Sequence, residues 1–202
     1  MFNDMEVYAK ENNVPIMLSD GISFLCNYIK DNNVKSILEI GSAIGYSAIR
    51  MASMGEDIKV TTIERDIDRY NVAVNNINKY GMVKKINIIN GDAMDVLLDD
   101  SNRFDLIFID ASKGHNIDFF NKYKKYLNKD GVIITDNLSF HGLVEDESLV
   151  KTKNQRGIVR KIKLFIEFLD NNKEFITEYV DVGDRISISK ERWYYEENFD
   201  SS

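Results

Sequence analysis

The sequence predicts an α/β fold: a doubly wound sheet of seven strands that ends in a C-terminal antiparallel hairpin. Three observations carry that reading. Five short runs rich in β-branched and apolar residues recur up to Asp136, and stretches with apolar residues at helical spacing separate them. Two further strand-like runs, joined by a tight turn, close the pattern. Strand alternating with helix is the mark of parallel βαβ units.

The first five strands are predicted at residues 36–40, 58–64, 86–90, 104–110 and 132–136. The unbroken apolar stretch Leu106-Ile107-Phe108-Ile109 fits a strand covered on both faces. Ile22, Leu25, Cys26 and Ile29 form the first helical stripe, with Ser19 as its N-cap. Ile67, Tyr70, Val74 and Ile77 form the next. Ile117, Phe120, Lys124 and Leu127 follow at the same spacing, with the lysine as a rim residue whose stem covers apolar surface. Ile158, Ile162, Phe165, Ile166 and Leu169 make the longest stripe. Residues 175–182 and 185–190 are strand-like, and Gly183-Asp184 between them is a hairpin signal. From Glu191 the chain turns aromatic and then acidic, and is expected to fray.

The 202 residues fit one domain spanning 1–202, with no linker, repeat or low-complexity tract. A single cysteine, Cys26, rules out an intrachain disulfide and a Cys-rich zinc site, and suits a reduced, cytoplasmic protein. Asp4, Glu6, Lys10 and Glu11 make the first residues unlike a signal peptide. No apolar run reaches the roughly 18 residues of a membrane span, so no membrane partner is expected. A net charge of −7 speaks against a generally basic nucleic-acid binder and leaves room for a local basic patch.

Ligands of open α/β sheets bind beyond the carboxyl ends of the strands, so the residues following each strand are the candidates. Gly41 and Gly45 follow the first, four residues apart, and would let a loop pass close to a ligand; the alternative is an ordinary tight turn. Ala43 interrupts the G-x-G-x-x-G of a dinucleotide site, which argues against NAD. Glu64 follows the second strand and could accept both ribose hydroxyls of an adenosine-type ligand, or simply pair with Arg65. Gly91-Asp92-Ala93 follow the third and suit an adenine edge, or a plain N-cap. Asp110 and Lys113 follow the fourth strand, and Asp136 and Asn137 the fifth. Adjacent parallel strands would bring Asp110, Asp136 and Asn137 together as a hard-oxygen set suited to Mg²⁺; the alternative is strand-end acids paired with Lys113.

Together these stretches resemble the class I S-adenosylmethionine-dependent methyltransferases, and more narrowly the metal-dependent O-methyltransferases of the catechol and caffeoyl-CoA type. The resemblance rests on LEIGSAIGYSAIRMA, VTTIERD, INGDA, FDLIFIDASKG and GVIITDN, and runs from about Val14 to Lys190. NVPIMLSDGI, HGLV, RGIVRKI and VGDRISIS are similar to members that methylate 5-hydroxyuridine at the tRNA wobble position. The resemblance implies a Rossmann-like fold and S-adenosylmethionine contacts from Met17, Gly41, Ser47, Glu64, Asp92, Ala93 and Asp110. It implies a divalent cation, Mg²⁺ or another, on Asp110, Asp136 and Asn137, with Lys113 and Asp110 as catalytic residues. It implies a homodimer whose substrate is tRNA or, alternatively, a small catechol or phenylpropanoid. Mg²⁺ would lower the pKa of a coordinated hydroxyl and fix its direction. Beside a dication Lys113 would lose its proton more readily and could act as the base.

A last feature is basic. Lys151, Lys153, Arg156, Arg160, Lys161 and Lys163 lie in thirteen residues without an acid, and setting those six aside leaves 20 basic against 33 acidic residues. The segment should lie above the fifth strand, near the metal residues. Arg156, Arg160 and Lys161 are the candidates for RNA phosphate contact, against the alternative of a solvated helix face balanced by Glu145, Asp146 and Glu147. Phe140 and His141 are candidates for stacking on a splayed base.

Overall fold

The computed structural model describes residues 2–111 and 114–193. Its sheet has seven strands among the described residues, in the order β3-β2-β1-β4-β5-β7-β6. They are β1 (Ser36–Ile40), β2 (Lys59–Glu64), β3 (Ile86–Asn90), β4 (Phe104–Ile109), β5 (Leu127–Thr135), β6 (Phe175–Val180) and β7 (Ile186–Glu191). β1 to β5 pair in parallel, while β7 runs antiparallel between β5 and β6. The order reverses direction between β1 and β4, the topological switch point at which such sheets form a crevice.

Among the described residues six α-helices cover the two faces: α1 (Asn3–Glu11), α2 (Ser19–Asp31), α3 (Tyr46–Ala52), α4 (Ile67–Lys79), α5 (Asn116–Tyr123) and α6 (Lys153–Asp170). Successive strand side chains point to opposite faces and so divide the core in two. Ile37, Leu106, Phe108, Val132 and Ile134 pack with Leu25 and Ile29 of α2 and Ile49 of α3. Leu38, Ile40, Ile107, Ile109 and Ile133 pack with Phe120 of α5 and Phe165 of α6. The β6–β7 hairpin forms as predicted, with Gly183 at φ +59°. Its seat on α2 is tight: a Cβ on Gly183 would stand 3.1 Å from the Gly21 Cα.

Two expectations need correcting. Ser19 is the first helical residue of α2 rather than its cap, which is Leu18. α5 ends at Tyr123, a single tighter turn spans Lys124–Tyr126, and Leu127 opens β5. The helical stripe therefore ran across a change of element; Lys124 pairs with Glu174 at 2.6 Å. α1 was not expected. It is held by Tyr46, whose hydroxyl donates to Glu6 at 2.6 Å, and by Lys79 and Tyr80, which both donate to Asp4. The tail expected to fray lies, from residue 194 on, outside the described residues.

Candidate active site

Hydrogen bonds carry the strand ladder one step past the strand ends and fix the floor of the crevice. The Gly41 amide donates to Ile63 at 3.0 Å and the Gly91 amide to Glu64 at 3.0 Å. The Asp110 amide donates to Ile40 at 3.0 Å and the Asp136 amide to Ile109 at 3.2 Å. Residues from four separate sequence segments thereby share one rim.

Gly41 is the pinch point. Its φ of +96° lies in the left-handed region, and a Cβ there would sit 2.6 Å from the Asp110 carbonyl oxygen. Only glycine lets the ends of β1 and β4 come this close. Past it the loop bends through Ala43 (φ +46°) to Gly45 (φ +79°), which opens α3. Glu64 locks this loop. One carboxylate oxygen accepts the Ala43 amide at 2.7 Å and the other accepts the Asp66 amide at 2.9 Å. Each oxygen keeps acceptor capacity for a ligand. Asp92 accepts the Met94 amide at 2.8 Å and lies 3.7 Å from Arg65, so it closes a polar turn and caps no helix.

These groups line one cavity of about 650 Å³. Met17, Gly41, Ser47, Glu64, Asp92, Ala93, Asp110 and Asn137 all face it. Asp136 lies beside them, 1% exposed, at the end of β5 next to Asp110. Asn137 takes φ +64°. Leu138 and Ser139 donate backbone amides to the β6–β7 turn, to Arg185 and Asp184. In the sequence Asp184 reads only as a turn residue. It is buried, and its carboxylate accepts the His141 amide at 2.6 Å, which anchors the segment carrying Asn137. Lys113 lies outside the described residues.

Among the described residues, no group of three His, Cys, Asp or Glu side chains could hold a metal ion. A cation site here would rest on Asp110, Asp136 and the Asn137 amide oxygen. Two carboxylates and one amide oxygen on adjacent strand ends fit a hard dication that keeps several waters.

Sequence reasoning missed Glu39. It is fully buried under the loop and accepts hydrogen bonds from Ser47 and Thr62. Burial, reinforced by the negative charges of Asp110 and Glu64, outweighs those bonds and pushes its carboxyl up to about 7. The available signal was an acid inside an otherwise apolar strand, Leu38-Glu39-Ile40. Tyr46 also faces the cavity and ties it to α1.

The basic segment divides. Lys161 lines the cavity together with Lys153, from the amino-terminal half of α6. Arg156 and Arg160 are exposed on α6 and are not part of that lining. Lys163 pairs with Glu147. Neither Phe140 nor His141 lines the cavity: Phe140 packs against the core beneath α5 and α6, and the His141 side chain is 73% exposed. His115 lines the rim, and its Nδ1 lies 3.0 Å from Asp118.

Comparison with known proteins decides what this arrangement belongs to. The family model for O-methyltransferases matches residues 3–191. The chain belongs to the O-methyltransferase family. This O-methyltransferase is 36% identical to a Staphylococcus aureus protein provisionally assigned as a caffeoyl-CoA O-methyltransferase. The crystal structure of that protein superposes with a TM-score of 0.88 over 94% of this chain and 91% of that one. It is 27% identical over 190 residues to the caffeoyl-CoA O-methyltransferase of Populus kitakamiensis, covering 91% of this chain and 80% of the relative. The methyltransferase PaMTH1 of Podospora anserina, solved with S-adenosylhomocysteine bound, shares the fold at 23% identity and a TM-score of 0.78, over 87% of this chain and 80% of that one.

Proposed function

We propose that the chain transfers a methyl group from S-adenosylmethionine to a hydroxyl of a small catechol or phenylpropanoid, with a divalent cation on Asp110, Asp136 and Asn137. The observation that carries this reading is the convergence of Gly41, Glu64, Asp92 and Asp110 on one cavity, with Asn137 in the same wall and Asp136 beside it. When bound, S-adenosylmethionine supplies the methyl group and the cation supplies positive charge beside the acceptor hydroxyl.

The chain's own residues do the rest. Glu64 offers its remaining lone pairs to the two ribose hydroxyls, already oriented by the Ala43 and Asp66 amides. Asp92 and Ala93 border the nucleobase end. Gly41 lets the cofactor lie against the backbone. Asp110, Asp136 and Asn137 hold the acceptor end, and Lys113 takes the hydroxyl proton. Fixing donor and acceptor in line supplies much of the rate. The small aromatic acceptor is favoured by the Populus kitakamiensis relative, which is named for caffeoyl-CoA.

One observation favours a second reading, methylation of 5-hydroxyuridine at the tRNA wobble position. Arg156 and Arg160 are exposed on the helix that walls the cavity and have no acidic partner among the described residues. Competition decides between the two. With catechol and hydroxyuridine-bearing tRNA offered together, the small-molecule reading expects labelled methyl groups on the catechol. Labelling confined to the tRNA would reverse the order.

A further inference from the structure

The α6 side of the cavity carries a feature that methyl transfer as proposed does not use. Lys153, Gly157 and Lys161 of α6 all line the cavity, and they stand at i, i+4 and i+8 along the helix. Residues at such spacing share one side of a helix. Gly157, between the lysines, leaves a notch: a Cβ built there would meet nothing within 4 Å. The Lys161 ammonium lies against Gly114, since a Cβ there would stand 2.8 Å from its Nζ. Neither lysine has an acidic partner among the described residues, whereas Lys163, two residues further on, pairs with Glu147. The two unpaired cations of this segment that line the cavity thus flank an open notch, and Lys161 reaches Gly114, four residues past Asp110.

We propose that the acceptor carries an anionic group and that Lys153 and Lys161 hold it across the Gly157 notch while its hydroxyl faces Asp110 and Asn137. The inference rests on the proposed methyl transfer and narrows its substrate class to anionic hydroxy-aromatics. A carboxylate on the ring and a phosphate on a nucleotide present the same chemistry to two ammonium groups. Lys153 and Lys161 are specificity-determining residues in this account: they select the acceptor and leave the cofactor alone.

The test is calorimetric, on the full chain with Mg²⁺ present. S-adenosylhomocysteine is titrated first. Protocatechuate, catechol, hydroxyuridine monophosphate and hydroxyuridine are then titrated into the complex, for the wild type, K153M, K161M and K163M. The wild type is expected to bind at least one anion about tenfold or more tighter than its neutral counterpart, the scale of one charge-assisted hydrogen bond. K161M and K153M should each erase most of that preference, with catechol and S-adenosylhomocysteine affinities unchanged, and K163M should keep it. Whichever anion loses its advantage, the carboxylate or the phosphate, identifies the group the notch takes. If the wild type shows no preference, or K163M erases it as fully as K161M, the notch is not an anion site. S-adenosylhomocysteine binding with no anion preference overturns this inference alone; absence of S-adenosylhomocysteine binding overturns the methyl-transfer reading and the inference with it.

Discussion

Replacing Glu39 by glutamine should make the protein progressively more stable than the wild type as the pH rises from 5 to 8. In the unfolded chain a glutamate loses its proton near 4.5, but burial keeps Glu39 protonated up to about 7 in the folded protein. Between those values the native state binds the extra proton, so wild-type stability from this group falls as the pH rises and levels off above 7. Each pH unit of that interval costs about 1.4 kcal/mol, or about 3 kcal/mol in all. Glutamine resembles the protonated acid and cannot ionise, and the Ser47 and Thr62 hydroxyls can rotate to suit its amide. Urea unfolding of both proteins at pH 5, 6, 7 and 8, without ligand and with EDTA, measures the difference directly, and titrating groups that do not interact with Glu39 cancel in it. A difference that is the same at pH 5 and pH 8 would refute the claim that Glu39 stays protonated under the loop.

Gly41→Ala should destabilise the protein by about 1–3 kcal/mol, the cost of a strained left-handed residue, and weaken cofactor binding in calorimetry. Glu64→Ala should weaken S-adenosylhomocysteine binding by about 1–3 kcal/mol, the scale of hydrogen bonds to a charged group, while NAD binds to neither protein. If tRNA is the substrate, replacing Arg156 and Arg160 by alanine should flatten the salt dependence of tRNA affinity by up to about one unit per lost phosphate contact; an unchanged slope removes the second reading's support.

Much of the fold was legible because buried parallel strands announce themselves by near-continuous apolar runs. β1 and β3 occupy the predicted residues 36–40 and 86–90. α1 was not legible: its buried residues are Met5 and Ala9, and what seats it are contacts from Tyr46, Lys79 and Tyr80, far off in sequence. Leu127 was misassigned because helical spacing persisted across one tighter turn. At the site, the strand-end rule found the residues whose positions follow from topology alone. It could not find Glu39 or Asp184, whose roles depend on what packs over them. Phe140 and His141 follow Asn137 in sequence yet lie outside the cavity lining, because proximity in sequence says nothing about direction. Both residues take left-handed backbone, at φ +50° and +59°. Within the basic segment, charge was legible, but which cations face the cavity depended on the rotation of α6.

The strand-end oxygens and the cofactor loop should act together in methyl transfer to a hydroxyl. Mass spectrometry of a reaction containing methyl-labelled S-adenosylmethionine, Mg²⁺ and a catechol acceptor tests it most directly, run with the wild type, with EDTA added, and with Asp136→Ala. The wild type should form O-methylated acceptor and S-adenosylhomocysteine in equal amounts. EDTA should abolish the product and added Mg²⁺ restore it, and Asp136→Ala should stay folded and form none. Full turnover in the EDTA-treated enzyme, or in folded Asp136→Ala, would show that the strand-end oxygens and a cation are not needed for methyl transfer.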